Sequence, residues 1–390
     1  MTSLSRPLRA DVRWTERAAI FAVFLELGLF AGGWAAALPA IKARLALSDG
    51  EISIALLSFA GGSILSTIAT GALASRLGTR RATRLGALAT IVSLVLPGLA
   101  TSLFGLAAAA LTMGIAMGLL DVAMNGHAGA LEERWGAPLM SSFHGAFSLG
   151  GLGGAAIGGT LAAAGVGASG QLGGAALVAA VVGLAALPFL GEGASRPAGA
   201  GPLLVLPGRR LIGLGIVAAF CFVVEGAMGD WSAIYLDTVT GSGLALASAG
   251  YAGFSIAMAG VRFVGDRAVA GIGARRILVG GGALAGAGLA LAVLVPVPLA
   301  AALGFALVGL GLGNVAPVAF SAAARLGATP ASGISSVATV GYAGFLLGPP
   351  IIGFLSGATD LRWALASLLL ATLVVMLVGY QVADGRRSRT

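Results

Sequence analysis

The chain is short of the side chains that most enzymes use for chemistry. Of 390 residues one is cysteine, two are histidine, and only 10% carry charge. Cys221 has no second cysteine to pair with, which excludes an intramolecular disulfide. There is no HExxH pair, no glycine-rich loop closed by a lysine, and no polar stretch long enough for a separate nucleotide-binding domain. Gly226 to Asp230 misses the Gly-x-Gly-Asp of intramembrane aspartyl proteases by one residue. These gaps argue against an enzyme and give no reason to expect a cofactor or a metal. Only 15 residues are acidic, so each carboxylate in an apolar setting needs its own explanation.

What fills the chain is hydrocarbon. Hydrophobic residues make up 58% of it and the mean hydropathy is +0.99, beyond the range of soluble domains. Apolar runs long enough to cross a bilayer as helices recur throughout. Charge, Pro and Gly clusters divide them into twelve spans, at 17–38, 51–74, 82–100, 104–130, 138–163, 170–190, 210–235, 245–265, 276–294, 299–322, 332–356 and 362–381. With the N-terminus inside, all the cations fall on the cytoplasmic side, Arg262 among them, except Lys42, Arg44 and Arg362. The bias toward one side places both termini in the cytoplasm, as expected for the inner membrane of a bacterium. It also accounts for the net charge of +8 without a nucleic-acid partner; the expected partners are the bilayer, a small solute and protons. The Ala35-Ala36-Ala37 run could mimic a signal-peptidase site, but the first span is long, holds Glu26 and is followed by many more, so it reads as uncleaved.

Gly191 to Gly208, rich in Gly, Pro and Ser, lies mid-chain and separates six spans from six. The expected units are residues 1–190, a cytoplasmic loop at 191–209, and residues 210–390. The halves echo each other: GALASRLGTRR at 71–81 is answered by RFVGDRAVAGIGARR at 262–276, with Ser75 matched to Asp266 and Arg76 to Arg267.

Gly71, Arg76, Gly78, Arg80 and Arg81 carry the pattern Gly-x-x-x-Asp-Arg-x-Gly-Arg-Arg, with Ser75 where the acid usually stands. With twelve spans and a second copy of the loop, the chain resembles a major facilitator superfamily transporter. The resemblance implies an all-α membrane protein of two six-helix bundles, related by a pseudo-two-fold axis along the membrane normal, with a solute cavity between them. It also implies a conformational latch made of Gly71, Ser75, Arg76, Gly78, Arg80, Arg81, Asp266 and Arg267. In that latch Asp266 faces the start of the fifth span at Leu139 to Ser142, and Ser75 faces Ser332 and Gly333 at the eleventh. Arg76 and Arg267 would reach carbonyls or acids such as Glu132 and Glu133. The stretches MNGHAGALEERWGAPLMSSFHGAFSLGGLGG, VVEGAMGDWSAIYL and VGYAGFLLGPP are similar to a bacterial inner-membrane branch near the fucose-proton symporters.

Side chains that are costly in lipid mark the candidate site. They are Glu26 in the first span, Asp121 and Asn125 in the fourth, His144 in the fifth, Glu225 in the seventh and Asn314 in the tenth. Gly114, Gly118, Asp121 and Asn125 share one helix face; so do His144, Ser148, Gly151, Ala155 and Gly158 on the fifth span, read as a neighbour of the fourth. Glu26, Asp121, Glu225 and His144 are the candidates for proton coupling. Glu26, Asn125, Glu225, Asn314 and Trp34 are the candidates for binding solute. The alternative for Asp121, Asn125 and His144 is a neutral network that fastens helices. His127 reads as a snorkelling or capping residue, and Asp230 as part of the outer interface.

Every basic residue lies in a loop or at a span end on this reading, so no cation is expected at depth, and a neutral or cationic solute is favoured over an anion. An arginine near Ala110 and a proline at Ala155, both frequent in drug-proton antiporters, are missing. The expected function is proton-coupled symport of a small polar, sugar-like or polyol-like solute by a monomer. The alternatives are a proton-driven drug or metabolite exporter and a non-transporting membrane sensor or structural protein that has kept a transporter fold.

Overall fold

The computed structural model describes residues 10–47, 49–192, 208–242 and 244–382. They form twelve long helical units. The first six are α1 (Ala10–Arg44), α2 (Asp49–Leu77), α3 (Thr79–Leu99), α4 (Leu103–Trp135), α5 (Met140–Ala163) and α6 (Ala168–Phe189). The others are α7 (Arg209–Thr238), α8 (Leu244–Ile272), α9 (Ala274–Leu294), α10 (Pro298–Leu326), α11 (Pro330–Ala358) and α12 (Leu361–Val382). Ten of these units contain a segment long and apolar enough to cross a membrane; α8 and α11 are 29 residues each. Several helices overrun the spans read from hydropathy. Apolarity marks only the part of a helix that lies in hydrocarbon, whereas backbone hydrogen bonding continues into polar turns.

The overrun of α8 changes the chemistry of the site. It continues to Ile272, so Arg262 and Asp266 belong to the helix and not to a loop. Arg262 is only 5% exposed, which corrects the expectation that no cation lies at depth.

Helix pairing repeats between the halves. In the first, α1 packs on α5 and α6, and α4 on α2 and α3; in the second, α7 packs on α11 and α12, and α10 on α8 and α9. The contact of α2 with α11 is matched by that of α8 with α5. The chain is therefore two six-helix bundles related by a pseudo-two-fold axis.

Glycine allows the closest approaches. In lipid no hydrophobic drive holds helix to helix, so contact depends on small residues that bring backbones together. A Cβ on Gly28 would lie 2.1 Å from the Phe147 carbonyl oxygen, and one on Gly32 would lie 2.0 Å from that of Gly151, so α1 and α5 touch backbone to backbone. Gly150 and Gly154 meet α1 in the same way, and Gly114 and Gly118 of α4 press on α2 at Phe59 and Ser63. The glycines of α4 and α5 are thus packing residues, and the two helices lean mainly on α2 and α1 with only a light contact between them.

The bundles meet at the end that carries the Arg-rich turns. There Ser335 of α11 donates to the Thr67 carbonyl of α2 at 2.6 Å, and Gly71 of α2 lies against Ser335. The contacts of α10 with the first bundle run through its second segment, Val315–Leu326. Among the described residues, the inter-bundle hydrogen bonds lie at this end or at mid-depth, so the structure is closed at its basic end.

Candidate solute and proton site

At mid-depth, polar side chains from three helices join. Asn125 donates its amide to the Asp121 carbonyl at 2.9 Å and to Asp121 Oδ1 at 3.2 Å, one turn away on α4. With its nitrogen so used, Asn125 presents Oδ1 to His144 Nε2 of α5 at 3.2 Å. That oxygen can only accept, so Nε2 carries the hydrogen. Tyr342 of α11 donates its hydroxyl to Asp121 Oδ2 at 2.5 Å, linking the bundles. Phe24 and Phe320 flank the His144 ring at 5.4 and 5.8 Å, and Phe222 stacks on Tyr342 at 5.7 Å.

A second group adjoins the first. Arg262 of α8 donates through Nε to the Gly313 carbonyl at 3.0 Å and through one terminal nitrogen to Ser148 Oγ of α5 at 2.7 Å. Its other terminal nitrogen faces Glu225 Oε1 of α7 at 3.5 Å. Ser148 in turn donates to the His144 carbonyl, which brings the two groups together on α5. The Gly313 carbonyl is available because α10 breaks between Leu312 and Val315. Glu225, partly exposed, supplies the anion that offsets the cost of burying the Arg262 charge.

Not every sequence candidate reaches this centre. Glu26 is fully buried inside the first bundle, where it accepts from Thr90 of α3 at 2.7 Å and lies against Gly183 of α6. It therefore sits away from Asp121, because α1 turns the glycines Gly28 and Gly32 toward α5 and Glu26 toward α3 and α6. Asn314 holds α10 to α8 through the Val261 carbonyl at 3.1 Å and lies beside Gly265 and Ser141, nearer the closed end. Trp34 stacks on Phe59 of α2 at 6.2 Å in an apolar layer. His127 faces Glu16 at 3.3 Å, both buried, and Glu16 also pairs with the exposed Arg134, which replaces the capping reading. The side chain of Asp230 lies outside the described residues.

Tyr342 and Arg262 escaped sequence reading. Tyr342 lies in a run whose glycines and prolines dominate, and Arg262 falls in the repeated loop pattern; only its distance from the turn at Gly273, about three helical turns, signals depth.

The closed end rests on two carboxylates at the start of α5. The N-cap residue of this helix, Leu139, has no side-chain acceptor of its own to offer. Glu132 Oε2 accepts from the N-H groups of Leu139 and Met140 at 2.8 and 3.0 Å, and Asp266 of the opposite bundle accepts from those of Ser141 and Ser142 at 2.8 and 3.0 Å. The other oxygen of Glu132 accepts from Ser321 and from Arg325 of α10, not from Arg76 or Arg267. The start of α11 caps itself, with Thr329 and Ser332 forming a reciprocal capping box. It has no need of an acid from the first bundle.

Ser75 is also not the counterpart of Asp266. The helices on both sides turn at positive-φ glycines, Gly78 at 80° and Gly273 at 84°. Gly71 and Asp266 stand seven residues before these turns, so Gly71 takes the matching place. The Ser75 side chain lies outside the described residues, while Arg76, Arg81 and Arg267 are exposed.

Asp266→Asn keeps one acceptor and loses the charge that favours a helix N-terminus, a change worth roughly 1–2 kcal/mol. It should move the population away from closure at the basic end by about five- to thirtyfold. Accessibility of single cysteines from each side measures this; an unchanged pattern would remove Asp266 from the latch.

The comparisons agree with this architecture. The family model described as Major Facilitator Superfamily matches residues 19–330. An uncharacterized MFS-type transporter of Yersinia pestis is 36% identical over 353 residues, covering 90% of this chain and 92% of that protein. Among solved structures, the human organic anion transporter MFSD10 superposes with a TM-score of 0.76 at 17% identity, covering 93% of this chain and 99% of the other. The E. coli fucose:proton symporter does so at 0.71 and 16% identity, covering 94% and 98%. A likeness this low in sequence speaks for the fold alone. The twelve-helix pairing, the match to the family model and the 36% identical relative together show that this chain belongs to the Major Facilitator Superfamily and is a transporter, not an enzyme.

Proposed function

We propose that the protein is a proton-coupled symporter of a small polar solute, sugar-like or polyol-like, working as a monomer by alternating access in the bacterial inner membrane with both termini in the cytoplasm. The observation that carries this reading is the hydrogen bond from Tyr342 to Asp121, which ties a buried carboxylate of one bundle to the other. Asp121 is 7% exposed, and an ionised carboxylate is costly to carry through a passage closed to water. A proton on Asp121 removes that charge, and solute hydroxyls can take up the hydrogen bonds of Asn125, His144 and Tyr342. Proton and solute then make the rocking of the bundles favourable only together.

The positive-inside bias makes the basic end cytoplasmic, so the closed end here corresponds to an outward-facing state. Purified protein in proteoliposomes with an internal pH dye tests the reading. Sugars and polyols added outside should acidify the lumen of vesicles that hold the transporter with its basic end inward. Lumenal alkalinisation on addition would indicate exchange and export, and no proton movement with any solute would defeat the proposal.

A further inference from the structure

We propose that Arg262 keeps Glu225 permanently ionised, leaving Asp121 as the one carboxyl at the centre that exchanges a proton, so that each uncharged solute moves with a single proton and one positive charge. This rests on the symport reading, and its first test is independent of transport.

The centre holds two carboxyls, Asp121 and Glu225, and one guanidinium, Arg262. Arg262 is fixed on two sides by the Gly313 carbonyl and Ser148, and its remaining edge faces Glu225 at 3.5 Å. A buried guanidinium is always charged and must keep an anion beside it. Glu225 is that anion, so a proton on it would strand Arg262 in a dry interior. Asp121 has no cation for a partner among the described residues: its neighbours are the Asn125 amide and the Tyr342 hydroxyl. Its charge can therefore be cancelled only by a proton.

The other groups around Glu225 do not alter this account. Tyr342 of α11 donates its hydroxyl to Asp121 and Cys221 of α7 directs its thiol to the Leu312 carbonyl, so neither offers Glu225 a cation. His144 of α5 presents Nε2 to Asn125. The charged groups of α10 and α12 are engaged elsewhere, Arg325 with Glu132 and Arg362 with the Val293 carbonyl.

The charge balance also bears on solute class. With Arg262 matched by Glu225, an anionic solute finds no unpaired cation and meets the charge of Asp121. After one proton is taken up, the centre as a whole is neutral and suits an uncharged polyhydroxy solute. The only bond made and broken is the O-H of Asp121, filled from one side and emptied to the other.

Infrared spectroscopy of the protonated carboxyl stretch in purified protein tests the assignment at neutral pH. Glu225→Gln should leave the carboxylic-acid band unchanged, because Glu225 contributes only as carboxylate. Arg262→Gln should add one carboxylic acid to the band, and Arg262→Gln with Glu225→Gln should remove it again; Arg262→Lys should add none. Loss of a carboxylic-acid band in Glu225→Gln alone, or no gain in Arg262→Gln, overturns the proposal. Should either single variant fail to fold, the charge-matched double variant decides: a carboxylic-acid band equal to that of the wild type supports an ionised Glu225, and loss of one carboxylic acid overturns the proposal. In vesicles, the reversal potential for an uncharged solute that drives proton uptake should give one proton per solute. Two protons per solute in the wild type would overturn this inference while leaving symport intact; no coupled flux with unchanged infrared results would overturn symport alone.

Discussion

Vesicles carrying Asp121→Asn are expected to exchange solute down its gradient but to accumulate none when a proton gradient is imposed. The amide keeps the size of the carboxylic acid and can hold Asn125 and Tyr342 by hydrogen bonds, but it has no proton to exchange. The bundles can then rock with solute alone, and the proton gradient no longer biases the direction. At a gradient of two pH units the wild type could reach about a hundredfold accumulation by a one-proton mechanism, since each tenfold in concentration is worth about 1.4 kcal/mol. The variant should stay near onefold. Counterflow of labelled solute, measured beside accumulation, separates loss of coupling from loss of binding. Glu26→Gln is the informative comparison: Glu26 lies apart from the centre, between α1, α3 and α6, so it should keep its accumulation. If Glu26→Gln loses accumulation and Asp121→Asn retains it, the coupling proton resides inside the first bundle and the central assignment fails.

The second large effect is expected at the crossing of α1 and α5. Adding even one methyl at Gly28 places carbon 2.1 Å from a carbonyl oxygen and 2.8 Å from a neighbouring Cα, both backbone atoms. Backbone cannot swing aside as a side chain can, so the helices must part along their whole contact. Gly28→Ala should therefore destabilise by about 3 kcal/mol or more, at the upper end for overpacking, and Gly28→Val should give little folded protein. Gly159→Ala, on α5 at a position with nothing within 4 Å, should be neutral or slightly stabilising because alanine is the better helix former. Thermal unfolding in detergent compares the two directly. Equal midpoints for Gly28→Ala and Gly159→Ala would mean that α1 and α5 do not approach as described.

The asymmetry of the closed end has a local origin. α5 begins at Leu139-Met140-Ser141-Ser142 without a capping side chain and takes carboxylates from Glu132 and Asp266, whereas α11 begins Thr329-Pro330-Ala331-Ser332 and caps itself. The superfamily's loop pattern is thus used unequally in the two halves: an acid crosses between bundles where a helix start lacks its own cap.

Hydropathy and charge bias by themselves determined the membrane class, the number of helices and the division into two halves. These properties depend on composition summed over about 20 residues, and a bilayer enforces them wherever the chain lies within it. The loop signature also led to the superfamily, and the polar residues of the fourth and fifth spans marked Asp121, Asn125 and His144 as candidates. Partners across the fold were decided only by tertiary structure. Glu26 and Asp121 look alike in sequence, each an acid in an apolar run, yet the direction in which a helix presents its glycines sent one into a bundle interior and the other to the centre. Arg262 read as a loop cation until α8 proved to run on to Ile272, and its pairing with Glu225 and Ser148 joins residues from α5, α7 and α8 that no local pattern connects. The physical reason is that lipid penalises a polar side chain wherever it faces, whereas a hydrogen bond or ion pair requires atoms within a few ångströms, and only the packing of helices sets those distances.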